Sequence, residues 1–436
     1  MRKFLRFSEQ AFTVVSLILY SGGPLAVILA GGANEGEVEG GSVQVDSSLI
    51  LLLFFVNYIV VCFLLVIRWK KVLHLLSKDK FIWVLIGIAV VSFVWSTNPS
   101  KTISRIIALS GTSLFGLYLA TRYSIRQQIQ LLAWMFGIAV VLSFVFAVAL
   151  PKYGIMGGLH AGKWRGIYTH KNVLGKMMVP SIMSFLLLAI DARKKRWLLW
   201  GGVSLSVLLL LLSTSKTSLV NLITVLAAFG IYGTFRWRYH RMLPALITIT
   251  TVGIALRLWL SANAEVLLGA MGKDTSLTGR GDLWPLVLNA IGQRPWLGYG
   301  FGAFWNGLQS EASVIWYAAS WPVPNSHNGF LDLLINLGIL GLSVFVIGFL
   351  ACILRSLVWV RLSKTADGFW PMLYLTYLVL ANLAESSLMI QNDLFWVLYV
   401  AVAFSVLLPP EGETKAVDRK HNQSSFNAAL VEQSFN

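Results

Sequence analysis

Residues 160–176, His-Ala-Gly-Lys-Trp-Arg-Gly-Ile-Tyr-Thr-His-Lys-Asn-Val-Leu-Gly-Lys, hold four lysines and arginines, two histidines and no acid. Guanidinium and ammonium groups pair with phosphate oxygens through charge-assisted hydrogen bonds, and arginine does so in bidentate fashion. Lys163, Arg165, His170 and Lys171 therefore read as a phosphate-binding set, with Lys176 just beyond them. The competing reading is a solvated basic loop that touches anionic lipid headgroups.

Three further places carry reactive side chains. Lys216 is the only charge in the polar hexad Ser213-Thr-Ser-Lys-Thr-Ser218. It fits a further phosphate contact, or a cation that snorkels to a membrane boundary. His327 lies in Pro324-Asn-Ser-His-Asn-Gly329. An imidazole there suits a general base, a proton donor or a phosphate partner, against the plainer role of a helix-start residue satisfied by backbone groups. Glu385, in Ala381-Asn-Leu-Ala-Glu-Ser-Ser387, closes an apolar stretch. A carboxylate in such a place is costly and usually faces a partner or a cavity, so Glu385 would orient a cation or act as the base. Asp332 is a weaker candidate for the same work.

The segment between about 261 and 327 is long and aromatic, with Trp284, Trp296, Trp305, Trp316 and Trp321, and it also carries Arg280. Aromatic faces near water suit stacking on sugars and suit membrane-interface belts equally, and some of these rings would form the loop's own small core. Gly298-Tyr-Gly-Phe-Gly302 lacks the strand, the crossover unit and the glycine spacing of a dinucleotide fingerprint, so a nucleotide reading is rejected. No cysteine and histidine cluster has zinc spacing. Cys62 and Cys352 both fall in apolar stretches, which leaves the outside loops without a disulfide.

A membrane bundle must position these groups. The chain of 436 residues is 56% apolar and 12% charged, which excludes a soluble globular or disordered class. Apolar runs near the ~20 residues that span a bilayer predict twelve helices. They lie at about 11–30, 49–67, 81–96, 103–120, 129–150, 174–190, 197–212, 217–235, 243–260, 328–354, 369–385 and 392–408. The net charge of +16 invites a nucleic-acid reading, but its distribution opposes one. Basic clusters at Arg2–Arg6, Arg68–Lys80, Arg122–Arg126, Arg193–Arg196, Arg236–Arg241 and Arg355–Lys364 recur at every second connection. That is the positive-inside pattern of a chain with both ends in the cytoplasm. Residues 1–30 are expected to be an uncleaved first helix rather than a signal peptide. Residues 1–408 form the membrane domain in this reading, and 409–436 a disordered cytoplasmic tail. The 160–176 segment then lies outside, against the charge rule, and an anionic ligand is the expected reason.

The motifs taken in order resemble the ExoQ-type exopolysaccharide polymerases of the O-antigen ligase and Wzy polymerase superfamily. The resemblance rests on Arg165-Gly-Ile-Tyr-Thr-His-Lys-Asn-Val-Leu-Gly175, the Ser213–Ser218 hexad, Leu277-Thr-Gly-Arg-Gly-Asp-Leu-Trp284 and Arg294-Pro-Trp-Leu-Gly-Tyr-Gly300. His327-Asn-Gly-Phe-Leu-Asp-Leu-Leu334 and Asn336-Leu-Gly-Ile-Leu-Gly341 complete it, over about 150–390. It implies an all-α, GT-C-like fold of about twelve helices with one large periplasmic loop, 261–327, between the ninth and tenth. It also implies transfer of a glycan from an undecaprenyl-pyrophosphate carrier to an acceptor hydroxyl, with inversion, without a metal or other cofactor, at the outer face of a bacterial inner membrane. By motif position Arg165, Arg280 and His327 match the family's essential groups, with Glu385 as the alternative base. Lys163, His170, Lys171, Lys216, Trp284 and Trp305 are the expected substrate-binding residues. Lys216 stands where ligases often carry arginine, which turns bidentate recognition into a point charge and agrees better with the polymerase branch. A flippase and a chain-length regulator are the partners a polymerase would have. The rivals are an O-antigen ligase that transfers to lipid A core, and a transporter, for which no internal repeat is visible.

Overall fold

Each of the twelve apolar stretches falls on a helix in the computed structural model, which describes residues 2–32, 48–263, 280–307, 310–319 and 323–409. The first half comprises α1 (Arg2–Tyr20), α2 (Leu25–Leu29), α3 (Ser48–Ile67), α4 (Trp69–Lys78), α5 (Phe81–Val91) and α6 (Pro99–Arg122). Then come α7 (Ile125–Ala149), α8 (Pro151–Gly154), α9 (Lys171–Asp191), α10 (Arg196–Leu212), α11 (Lys216–Thr234) and α12 (Tyr239–Ala262). The last are α13 (Arg280–Gln293), α14 (Ser313–Ala319), α15 (Gly329–Leu362), α16 (Trp370–Asn382) and α17 (Leu394–Ser405). Among the described residues there is no strand, only an isolated bridge between Ile155 and Trp164.

Among the described residues, six helices are long and apolar enough to cross a membrane: α3, α6, α7, α9, α11 and α15. Shorter apolar helices cover Phe81–Trp95, Arg196–Leu212 and Leu394–Ser405. Burial separates an inner from an outer ring. All twelve residues of α17 are buried, as is most of α9 and α16. By contrast α3 presents Leu51, Leu52, Phe55 and Phe63 outward. Apolar side chains facing out on a continuous helix surface require a lipid solvent. The chain is a multi-pass membrane protein. Close helix approach supports the centre: α17 runs along α6, and a Cβ on Gly116 would stand 2.7 Å from the Val397 carbonyl oxygen.

Two expected spans change shape. The stretch predicted at 11–30 begins as a helix at Arg2 and breaks after Tyr20, because Gly22 turns left-handed (φ +80°) just before Gly23 and Pro24. The stretch predicted at 328–354 continues to Leu362, with non-helical backbone at Gly338 (φ +62°, ψ −165°). The break has a partner. Tyr299 N–H donates to the Ile335 carbonyl (2.8 Å), Gly300 N–H to Asn336 (3.1 Å), and Ile339 N–H to the Pro295 carbonyl (2.8 Å). The two glycine motifs at 294–302 and 336–341 thus interlock backbone to backbone, which accounts for their glycines without any nucleotide. The same segment is gripped from its other side by Thr97 N–H on Tyr299 O (3.0 Å) and Thr102 Oγ1 on Phe301 O (3.0 Å).

Connections 92–98, 150–170, 213–215, the described parts of 263–328 and 383–393 lie at one end of the bundle. The other end holds ion pairs between its basic connections and acids: Glu9 with Arg68 and Arg122, Arg126 with Asp191 and Asp367, and Arg355 with Asp79. The acids Glu35, Glu37, Glu39 and Asp46, the loop residues Glu265, Lys273, Asp274 and Trp321, and the expected tail from 410 lie outside the described residues.

Candidate functional site

Three helices begin at the loop-rich end with reactive residues in their first turn. His170 caps α9, its Nδ1 accepting from Asn172 N–H (3.1 Å), and Lys171 follows. Lys216 opens α11. Asn328, next to His327, caps α15 by accepting from Phe330 and Leu331 N–H (3.0 and 3.3 Å). A helix N-terminus carries roughly half a positive charge, so three of them at one end of the bundle favour an anion even before the lysines are counted.

The lysines add to this. Lys163 and Lys216 are the charges that act on Lys171, which puts all three in one electrostatic neighbourhood. None of the three has a carboxylate ion pair among the described residues, unlike the paired acids of the opposite end. The histidines contribute less charge than the sequence expects. Burial, then His160 and Lys171, lower His170 to about 4, with Glu385 opposing. Burial, then Lys171 and Lys163, also lower His160. His170 is therefore neutral near pH 7, and the cationic character belongs to the lysines.

His327 faces Glu385 across 3.6 Å from Nδ1 to Oε2, both half-buried at 26% and 31% exposure. Its backbone is left-handed (φ +51°), a conformation that costs a non-glycine residue about 1–2 kcal/mol. Surrounding bonds hold it there. His327 N–H donates to Asn325 Oδ1 (2.9 Å). Buried Asp332 accepts from Ser326 N–H (3.1 Å), from the Trp305 indole N–H (2.9 Å) and from the Ser386 hydroxyl. The Trp284 indole donates to Ser326 O (3.1 Å), and Trp316 to Val323 O (2.7 Å). Trp284, Trp305 and Trp316 pack against a second core built from Leu283, Val287, Tyr299, Phe304 and Ile315. Their N–H groups thus brace the turn that presents His327.

Glu385 also lines a small polar cavity with Asn172, Lys176, Ser215, Thr217, Ser218 and Asn221. That cavity joins the two groups, since it touches the starts of α9 and α11 and the carboxylate beside His327. Lys176 donates to the Ser387 hydroxyl and lies 4.4 Å from the Phe395 ring centre.

Arg165 departs from the expected direct contact with a ligand. Its side chain is fully buried. Nε donates to Tyr153 O (2.9 Å), and Nη2 to Gly32 O (2.7 Å) and Lys152 O (3.1 Å). The guanidinium ties the basic loop to the segment after α2. Arg280 is the first residue of α13, and its side chain lies outside the described part of the structure. Sequence reasoning passed over Asn325 and Ser386, although both stand in the quoted motifs. Their signal was small polar side chains next to a membrane-end acid or imidazole.

Known proteins share parts of this sequence. A family model described as O-antigen ligase matches residues 201–346, which include Lys216, Arg280 and His327 but not Arg165, His170, Lys171 or Glu385. The chain is 25% identical over 288 residues to the exopolysaccharide production protein ExoQ of Rhizobium meliloti, covering 64% of this chain and 65% of that protein. It is 24% identical over 301 residues to the general O-oligosaccharyltransferase of Acinetobacter baylyi, covering 63% of this chain and 50% of that protein. The chain thus spans less than two thirds of the length of either relative. These matches, and the motifs that carry them, make the chain similar to the O-antigen ligase superfamily and, within it, to ExoQ.

Proposed function

We propose that the protein is a membrane glycan polymerase. It would transfer an oligosaccharide from a lipid pyrophosphate, of the undecaprenyl class, to an acceptor sugar hydroxyl during exopolysaccharide synthesis. The observation that carries this reading is the meeting of Lys163, Lys171 and Lys216 with the His327–Glu385 pair at one end of the bundle. In this reading twelve helices cross the inner membrane, both termini are cytoplasmic, the site faces the periplasm, and 261–327 is the large loop beside it. The O-antigen ligase-like core is 150–390.

The acceptor hydroxyl gives its proton to His327, whose Nδ1 is oriented by Glu385. The acceptor oxygen then bonds to the anomeric carbon from the face opposite the pyrophosphate, and the bond from that carbon to the phosphate oxygen breaks with inversion. The lysines, the helix N-termini and Arg280 stabilise the charge that develops on the leaving pyrophosphate, and no step is routed through a metal. Arg165 keeps its place in the site as a positioning residue that holds the basic loop. Trp284 and Trp305 leave their ring faces as sugar platforms while their N–H groups brace His327.

The relative named as an O-oligosaccharyltransferase favours one second reading, transfer of a finished glycan to another acceptor such as lipid A core. A gel of glycans from a deletion strain separates the two. Single repeat units indicate a lost polymerase, whereas lipid-linked polymer without mature lipopolysaccharide indicates a lost ligase. Complementation with Arg280→Ala should give no polymer at normal membrane levels of the protein. Normal chains from that variant would sink the assignment.

A further inference from the structure

At the opposite end of the bundle from His327, four cations line one cleft of about 530 Å³. Arg68, Lys70 and Lys71 come from the junction of α3 and α4, and Arg122 from the last turn of α6; Ile67, Trp69 and Thr121 complete the wall. Among the described residues a single carboxylate answers them. Glu9 reaches over from α1 to Arg68 (2.5 Å) and Arg122 (2.9 Å). Lys71 Nζ donates to the Thr121 carbonyl (2.6 Å), and Lys70 lies 5.8 Å from the Trp69 ring centre. Neither lysine has a carboxylate ion pair among the described residues. Four positive charges therefore meet one negative charge. The C-terminus of α6 contributes only about half a negative charge more.

The cations crowd one another. Burial, then the guanidiniums of Arg122 and Arg68, push the Lys71 ammonium below its ordinary value. An anion in the cleft would relieve that repulsion. The rim says which kind of anion fits. Ile67, Trp69 and Leu73 stand 61%, 55% and 55% exposed beside the lysines, while Leu75 anchors α4 to the bundle at 0%. A short helix with basic residues and outward apolar ones at a bundle end has the character of an interfacial helix. Its apolar residues would lie against acyl chains, with the charged cleft at headgroup level.

We propose that this cleft binds the phosphate of an anionic phospholipid, with its acyl chains along Ile67, Trp69 and Leu73. The site is separate from the glycan chemistry, and it stands whether or not the proposed activity is correct.

The test is native mass spectrometry of the full chain in neutral detergent, with dioleoylphosphatidylglycerol or dioleoylphosphatidylcholine added at equal ratio. The wild type should retain phosphatidylglycerol preferentially. K70Q/K71Q should weaken that retention about twenty-five-fold, two cations at about five-fold each near an anionic surface, with its thermal unfolding unchanged. Unaltered preference in K70Q/K71Q overturns the site. Equal loss in R193Q/K194Q, a basic run exposed on a turn at the same end, also overturns it, since general surface charge would then suffice. Displacement of the lipid by millimolar inorganic phosphate would reassign the cleft to free phosphate and refute the lipid occupant.

Discussion

Arg165 offers the sharpest test of how the basic loop works. The sequence expects this residue to grip a phosphate, whereas the structure turns its guanidinium inward onto carbonyls of Tyr153, Gly32 and Lys152 at 2.7–3.1 Å. The contact to Thr169 O, at 3.5 Å, is too long to weigh. Three bonds from a charged donor contribute about 1.5–3 kcal/mol each, and deleting them strands buried acceptors. Water entry and relaxation recover part of that, so Arg165→Ala should cost local stability of roughly 3–6 kcal/mol. Lysine has three donors on one nitrogen in place of a two-nitrogen fork, so Arg165→Lys should recover only about half. The effect should be local rather than global. Hydrogen exchange of peptides across 150–170, measured in nanodiscs, should speed up about 10²–10⁴-fold in Arg165→Ala. Peptides in α17 should remain protected. A variant that loses polymer while its 150–170 peptides exchange like wild type would refute the reasoning and restore Arg165 as a ligand contact.

Three other outcomes follow from the same geometry. Glu385→Gln keeps the shape beside His327 and removes the charge, so polymer synthesis in membranes should fall about 10²-fold with the fold intact; full activity would remove Glu385 from the proton path. Gly338→Ala places a Cβ against the Trp296 carbonyl at a backbone conformation that only glycine adopts easily, so it should cost about 2–4 kcal/mol. Unchanged thermal unfolding in detergent would show that the break at 338 is not required. Finally, burial, then His160 and Lys171, lower the folded His170 from its ordinary 6.5 to about 4, so the unfolded chain takes up the extra proton between those values. Loop stability should be full above about pH 6.5 and decline as the pH falls toward 4. His170→Asn, which retains a capping acceptor, should flatten that profile between pH 6.5 and 4; an equal slope in the variant assigns it to another group.

The sequence made helices legible and turns illegible. Hydropathy located α3, α6, α7 and α11 within a few residues, because a lipid solvent forces long apolar runs onto helices that satisfy their own backbone. It missed the break at Gly338, since the cause is a segment 40 residues earlier that supplies the partner carbonyls and N–H groups. The candidate site divides the same way. His327, Glu385, Lys171 and Lys216 were readable as polar groups at apolar ends, and the fold brings them together. The direction in which a side chain points was not readable. Arg165 and Lys163 stand two residues apart in one basic segment, yet one is sealed under the loop and the other remains in the cationic group.

The tryptophans show what such a division means for the site. An imidazole in the role proposed for His327 must be held within about half an ångström of its place, and a loop is a poor support unless its backbone is over-determined. Here the turn at 323–328 receives indole bonds from Trp284 and Trp316, and a third from Trp305 through Asp332, while Ser386 joins it to the Glu385 segment. Those contacts come from three separate parts of the long loop and from the 383–393 turn. They converge on a residue that holds a left-handed backbone at a cost. Thr214, Met389 and Asn392 adopt the same unfavourable conformation in the neighbouring turns of that end. Among the described residues one other left-handed non-glycine residue, Lys195, lies at the opposite end, and such strain persists only where packing supports it. The aromatic richness that reads, in sequence, as a sugar platform therefore serves structure first. It fixes the geometry of the histidine, and any glycan contact must use the ring faces that remain.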